Sequence, residues 1–188
     1  MTLNMDKKPA KPERKTPKKI SKTYLENAAL YYLQRYATSA GNLKRVLMRK
    51  VKRSCTFHRV PAEDFAPLVD ELVARYAAVG LIDDTVFARA RVTSLRRQGL
   101  SKQAIVARLQ LKGLSRPQIE AALQLVDAEN EDPEITAATA YARRKKLGPW
   151  RKTPLTDPKD RQKELAAMGR AGFSYEVARR ALENTDDD

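Results

Sequence analysis

Few residues in this chain have the types and spacing that chemistry needs. Asp83-Asp84 is the tempting carboxylate pair. General acid–base catalysis requires two groups with separated pKa values facing one substrate. Adjacent aspartates in front of Val86-Phe87-Ala88 read more simply as a helix N-cap. Cys55-Thr56-Phe57-His58 is half a zinc site, because structural zinc takes four ligands and the chain has one cysteine and one histidine. His58 would also be the sole base for a serine nucleophile, and it sits beside a strongly basic stretch. Neither G-x-x-x-x-G-K-[ST] nor G-x-G-x-x-G occurs, so the usual phosphate cradles are missing. The reading is a protein that is not an enzyme, with no cofactor and no metal.

Charge is the stronger signal. The 188 residues carry 37 Lys and Arg against 23 Asp and Glu, a formal net charge of +14. Such a balance favours a polyanionic partner. The positive charge is blocked: seven basic residues and no acidic one lie between Ala37 and Ala62, eight and none between Thr85 and Ile119, six and none between Ile135 and Thr156. Acidic stretches separate the blocks. The candidate partner-binding or DNA-binding residues are Lys44, Arg45, Arg49, Lys50 and Arg53 in the first block, and Arg96, Arg97, Lys102 and Arg108 in the second. Arg143, Arg144, Lys145 and Lys146 follow in the third, with Trp150 and Arg151 at its loop. Trp150 would stack on a base or anchor a protein contact, or else pack against Pro149 and Leu147.

Helices must position these residues. Phe65, Leu68, Val69, Leu72, Val73 and Tyr76 recur at three- and four-residue steps, as do Leu43, Val46, Leu47 and Val51, and Ile119, Ala122, Leu123 and Val126. Ser115-Arg116-Pro117-Gln118 resembles a capping box, and Asp132-Pro133 and Asp157-Pro158 place proline after a capping carboxylate. Gly80, Gly99 and Gly113 fall where helices should stop. The expected fold class is all-α. A lone Cys55 excludes an internal disulfide framework and suits a reducing cytoplasm. No apolar run is long enough to span a bilayer, and no signal-peptide pattern opens the chain.

The chain also repeats itself. Ser101 to Lys112 can be laid on Ser39 to Lys50, and Leu109, Gly113, Ser115, Ala122 and Leu123 on Met168, Gly172, Ser174, Ala181 and Leu182. This suggests three units of roughly 45–60 residues. Three basic blocks in phase with three units would put positive charge at equivalent positions on successive modules. The expected organisation is a disordered basic arm over 1–20, then repeats over 21–82, 83–130 and 131–188, the last ending in a short acidic tail.

Gly80-Leu81-Ile82-Asp83-Asp84-Thr85-Val86-Phe87-Ala88 resembles the hallmark segment of the RecX family of bacterial recombinase regulators. Arg97-Gln98-Gly99-Leu100-Ser101, Ile105, Leu109, Lys112-Gly113-Leu114-Ser115, Ile119 and Ala122-Leu123 follow in the order and spacing of that family's second repeat. Ala171-Gly172-Phe173-Ser174 is similar to the start of its last helix. The first unit departs with Val51-Lys52-Arg53-Ser54 where a glycine turn is expected, and the third with Gly148-Pro149-Trp150 and a loop to Pro158. The resemblance implies an elongated array of three tandem three-helix repeats without catalytic activity. It further implies binding to the RecA filament on single-stranded DNA and damping of strand exchange, ATP hydrolysis and SOS-inducing activity. A cytoplasmic monomer without membrane contact is expected. The competing reading is a general basic helical protein contacting DNA phosphates without a specific protein partner. Sequence-specific readout is not expected, because the helix after Ser115 pairs Arg116, Gln118 and Gln124 with Glu120 and Asp127.

Overall fold

The computed structural model describes residues 16–152 and 157–183. Residues 1–15 of the basic arm, 153–156 of the long loop and the tail from 184 to 188 lie outside the described residues. Nine α-helices are found among the described residues, and no strand. They form three consecutive triplets. The first is α1 (Lys22–Leu33), α2 (Ala40–His58) and α3 (Ala66–Ala78); the second is α4 (Asp84–Arg97), α5 (Lys102–Gln110) and α6 (Arg116–Asp127). The third is α7 (Pro133–Lys145), α8 (Pro158–Arg170) and α9 (Tyr175–Glu183).

Local chemistry sets these boundaries. Asp83 caps α4 by accepting from the Thr85 and Val86 amides, and Ser115 with Gln118 completes a reciprocal capping box on α6. Asp132 and Asp157 cap α7 and α8, each with proline in the first turn. Helix α2 runs through Val51-Lys52-Arg53-Ser54 because no glycine interrupts it and Val51 and Cys55 extend its buried stripe. It stops only at Arg59, in the left-handed region at φ 57°.

Each triplet closes its own hydrophobic cluster. Leu25, Leu43, Leu47, Val51 and Val69 are wholly buried in the first. Ile105 and Ile119 centre the second, and Met168 with Phe173 and three alanines of α7 the third. The clusters stay separate, so the repeats form a row rather than one merged core, the elongated array of a repeat protein.

Two joints hold the row together, and they use the same device. Ser39 caps α2, and its hydroxyl also donates to the Lys112 carbonyl in the turn between α5 and α6. Ser101 caps α5, and its hydroxyl donates to the Ala171 carbonyl in the turn between α8 and α9, at 2.8 Å. Both serines are completely buried. Beside each clasp the next helix amide finds a carboxylate of the following repeat: Ala40 N donates to Asp84 Oδ1 and Lys102 N to Glu134 Oε1, both at 2.8 Å. Glycine lets the backbones meet. A Cβ on Gly113 would lie 2.8 Å from Gly41 Cα, and one on Gly172 would lie 2.6 Å from Ser101 Oγ.

The second joint carries an added lock. Arg96, near the end of α4, grips both oxygens of Asp127 on α6 at 3.0 and 2.6 Å and Glu134 on α7 at 2.7 Å, and also donates to the Leu100 carbonyl. Its side chain is only 10% exposed. Burial disfavours its charge, but the hydrogen bonds it donates to the two carboxylates outweigh this and raise its pKa. Arg96 is therefore a structural clamp, which corrects its assignment to a partner-facing surface. Next to it, Gly99 (φ 71°) lies against the α7 backbone, where a Cβ would come 2.6 Å from Tyr141 N.

Two outcomes are expected in urea denaturation. Arg96→Ala leaves Asp127 and Glu134 half-buried without their partner and should cost about 3–5 kcal/mol, whereas Arg97→Ala, on the exposed side of the same turn, should stay within about 0.5 kcal/mol. Gly99→Ala combines a left-handed backbone with a collision against α7 and should cost about 2–4 kcal/mol.

Candidate partner-binding surface

The candidate residues of the first basic block all lie on α2. Arg45, Arg49 and Arg53 are spaced four residues apart and exposed, so their guanidinium groups rise along one face of the helix. Lys50 and Lys52 flank them. Lys44 is exposed too, but its ammonium is paired with Asp70 of α3 at 2.5 Å. The ridge gains its length from the uninterrupted α2, whose counterpart α5 is half as long.

The end of the basic arm joins this helix. The Lys18 carbonyl accepts from Ser54 Oγ at 2.7 Å, the Pro17 carbonyl meets His58 Nε2 at 2.9 Å, and Ile20 packs on the first core. Residues 17–20, assigned to a free arm from composition, are thus fastened to α2. Lys18 and Lys19 add their charge beside its C-terminal half.

The second block is split between two helices of its repeat, and the third gathers at the end of α7, the helix equivalent to α4. Arg97 ends α4, while Lys102 and Arg108 lie on α5; Arg143, Arg144 and Lys145 end α7, and Lys146 closes it at φ 58°. The three blocks do not share one equivalent helix: α2 carries the first, α4 and α5 the second, and α7 the third. Instead, the helix ends bring two blocks together: Arg144 Nη1 donates to the Gln98 carbonyl, one residue beyond Arg97. Such a cation at the carbonyl end of α4 is favoured by the helix dipole. Arg151 belongs to the third repeat's own packing, bonded to Glu164 at 2.8 Å with both side chains mostly buried. Trp150 is half-buried against the third core.

The residues considered for catalysis do other work. Asp83 is a cap and Asp84 a joint. Burial pushes the Cys55 thiol up, helped by Glu63 and Asp64, so the reactive thiolate is disfavoured. Among the described residues no group of three or more His, Cys, Asp or Glu is placed to hold a metal ion, and no helix is long and apolar enough to cross a membrane. On α6, Glu120 pairs with Arg116 at 2.8 Å, which lowers its pKa, and Gln118 is consumed by the capping box.

Comparison with known proteins agrees with this architecture. Residues 83–123 match the profile described as RecX, second three-helix domain. The chain is 42% identical over 170 residues to the regulatory protein RecX of Myxococcus xanthus, covering 90% of each chain. It is 32% identical over 171 residues to the regulatory protein RecX of Agrobacterium fabrum, covering 88% of this chain and 85% of that one. The crystal structure of RecX from Lactobacillus salivarius superposes with a TM-score of 0.62 at 20% identity, over 86% of this chain and 94% of that one. A second crystal structure, of regulatory protein RecX, gives 0.59 at 20% identity, over 87% and 72%. The two distant structures speak for the fold, and the near-complete matches at 42% and 32% identity settle the kinship: this chain belongs to the RecX family of regulatory proteins.

Proposed function

We propose that this protein binds the RecA nucleoprotein filament and restrains its recombinase, ATPase and SOS co-protease activities, acting as a cytoplasmic monomer without chemistry of its own. The observation that carries the reading is the 42% identity to a regulatory protein RecX along 90% of both chains. Electrostatics supports it. A row of helical repeats with a net charge of +14 suits a long polyanionic track, and single-stranded DNA, reached directly or through the filament, belongs to that track. The repeats, read as 21–82, 83–130 and 131–188, would engage successive filament subunits, so affinity would come from several weak contacts acting together. Within them the exposed cations are the contact candidates: the α2 ridge, then Arg97, Lys102 and Arg108, then Arg143 to Lys146. Arg45, Arg49 and Arg53 suit this role because guanidinium grips carboxylate and phosphate through paired hydrogen bonds.

The test is RecA's single-strand-dependent ATP hydrolysis with this protein titrated in at two salt concentrations, alongside its binding to naked DNA. Inhibition at substoichiometric protein, where naked DNA binding is weak, is expected. Inhibition only at DNA saturation, vanishing steeply with salt, would make it a general phosphate-binding protein instead. Replacing Arg45, Arg49 and Arg53 together by glutamate should leave helicity intact, since all three are exposed. Filament affinity should fall by about tenfold or more. Full retention of affinity would remove the α2 ridge from the interface.

A further inference from the structure

The two joints of the array are built alike but do not close alike. In the second, Gly99 stands two residues before the clasping Ser101, is buried, and sits on α7 against Ala137, Ala140 and Tyr141. In the first, the residue two before Ser39 is Ala37, which is exposed. Aligning the buried pair Ala88 and Val92 of α4 with Ala138 and Ala142 of α7 makes Phe87, Ala90 and Arg91 the counterparts of the surface that Gly99 covers. Those three residues line an open cleft of about 550 Å³ between the first and second repeats. The α1–α2 connection, residues 34–39 against 98–101 in the second repeat, is longer and has no glycine to seat on α4.

The walls of this cleft have a definite chemistry. Tyr36, Leu81 and Val86 are 56%, 52% and 64% exposed there, a concentration of apolar surface at one place. Arg91 and Lys112 stand at the same cleft and pair with no carboxylate among the described residues. Its acid, Asp83, is occupied by the Thr85 and Val86 amides at 2.8 and 2.9 Å. An apolar trough with two cations unpaired among the described residues, its one carboxylate engaged by backbone amides, complements a bulky apolar side chain next to a carboxylate. A nucleic acid strand fits it less well. Two cations are few for a phosphate chain.

We infer that the cleft between the first and second repeats is a docking site for a protein segment presenting an aromatic or aliphatic side chain beside an acidic residue. This rests on the reading of the filament as partner and assigns the segment to its protein component. The contact is distinct from the α2 ridge and adds a shape-dependent anchor to a charge-dependent one.

The experiment measures fluorescence anisotropy of the labelled full chain against RecA filaments on oligo(dT) with a slowly hydrolysed ATP analogue, and against naked oligo(dT). Val86→Glu puts a carboxylate in the trough at the third position of α4, where glutamate is well tolerated. Ala90→Trp fills the trough sterically, so a folding defect in one variant does not decide the matter. Leu125→Glu, on exposed α6 outside the cleft, is the control. Both cleft variants should weaken filament binding by about tenfold, with less than about a twofold change on naked DNA and none for the control. Unchanged filament affinity in both overturns the inference and leaves the filament reading standing. Equal weakening on naked DNA overturns it in favour of a nucleic acid occupant, and an equal loss in the control reduces it to a general surface effect. Absence of filament binding by the unmodified chain overturns the functional reading and the inference with it.

Discussion

A serine hydroxyl has one proton to give and two lone pairs to receive with, and Ser39 and Ser101 use both sides. Each accepts an amide of its own helix as a cap and donates to a carbonyl of the next repeat. Because both are fully buried, replacing either leaves a carbonyl or an amide without a partner away from water. The separate hydrophobic clusters give each repeat its stability, but a greasy contact between repeats would tolerate sliding. A directional bond from a cap to a turn does not. The clasp thus fixes the register between repeats, and every surface that spans them inherits its geometry from it.

The same constraint explains why the repeats differ. A clasped repeat needs a glycine turn at its acceptor side, and Gly113 and Gly172 supply it in the second and third. The first repeat has no described repeat clasping it, and its second helix is released from that requirement. Helix α2 can then run to His58 and display a ridge of arginines that α5 has no length for. Its added turns also offer Ser54 and His58 as anchors for the chain at Pro17 and Lys18. The first repeat therefore carries the longest ridge of cations, while Arg97, Lys102, Arg108 and Arg143 to Lys146 add exposed charge along the row. The acidic residues that separate the blocks in sequence become partners in space, taking Arg96 and Arg151 out of contact.

Much of this was legible in the residues themselves. The capping box at Ser115, the proline-led helices after Asp132 and Asp157, the glycine stops and the three-unit register depend on neighbours within a few positions. Even the break in the first unit at Val51-Lys52-Arg53-Ser54 was visible, and it marks the extension of α2. Arg96 was not legible as a clamp, because Asp127 and Glu134 lie 31 and 38 residues away and meet it only through the packing of α6 and α7. Asp84 was hidden similarly, its amide partner lying 44 residues earlier. Charge in a window reports which residues are cationic. Only the fold reports which of them are already neutralised.

The unequal closing of the joints follows from what stands at the end of each repeat's first helix. At Gly99 the missing Cβ and the left-handed backbone allow α4's end to rest on α7, and Arg96 locks the contact from the side. At Ala37 a Cβ is present, the connection is longer, and no arginine clamp spans the gap. The first joint still keeps its serine clasp and its amide–carboxylate bond, so the repeats remain registered while an apolar trough stays open between them. Stability alone would favour filling that trough, since exposed Leu81 and Val86 gain from burial. A row with one sealed joint and one open one keeps unfilled surface beside the first repeat, the repeat whose α2 carries the arginine ridge. A partner recognised by charge at α2 would thereby be brought next to the single inter-repeat surface whose contacts are incomplete.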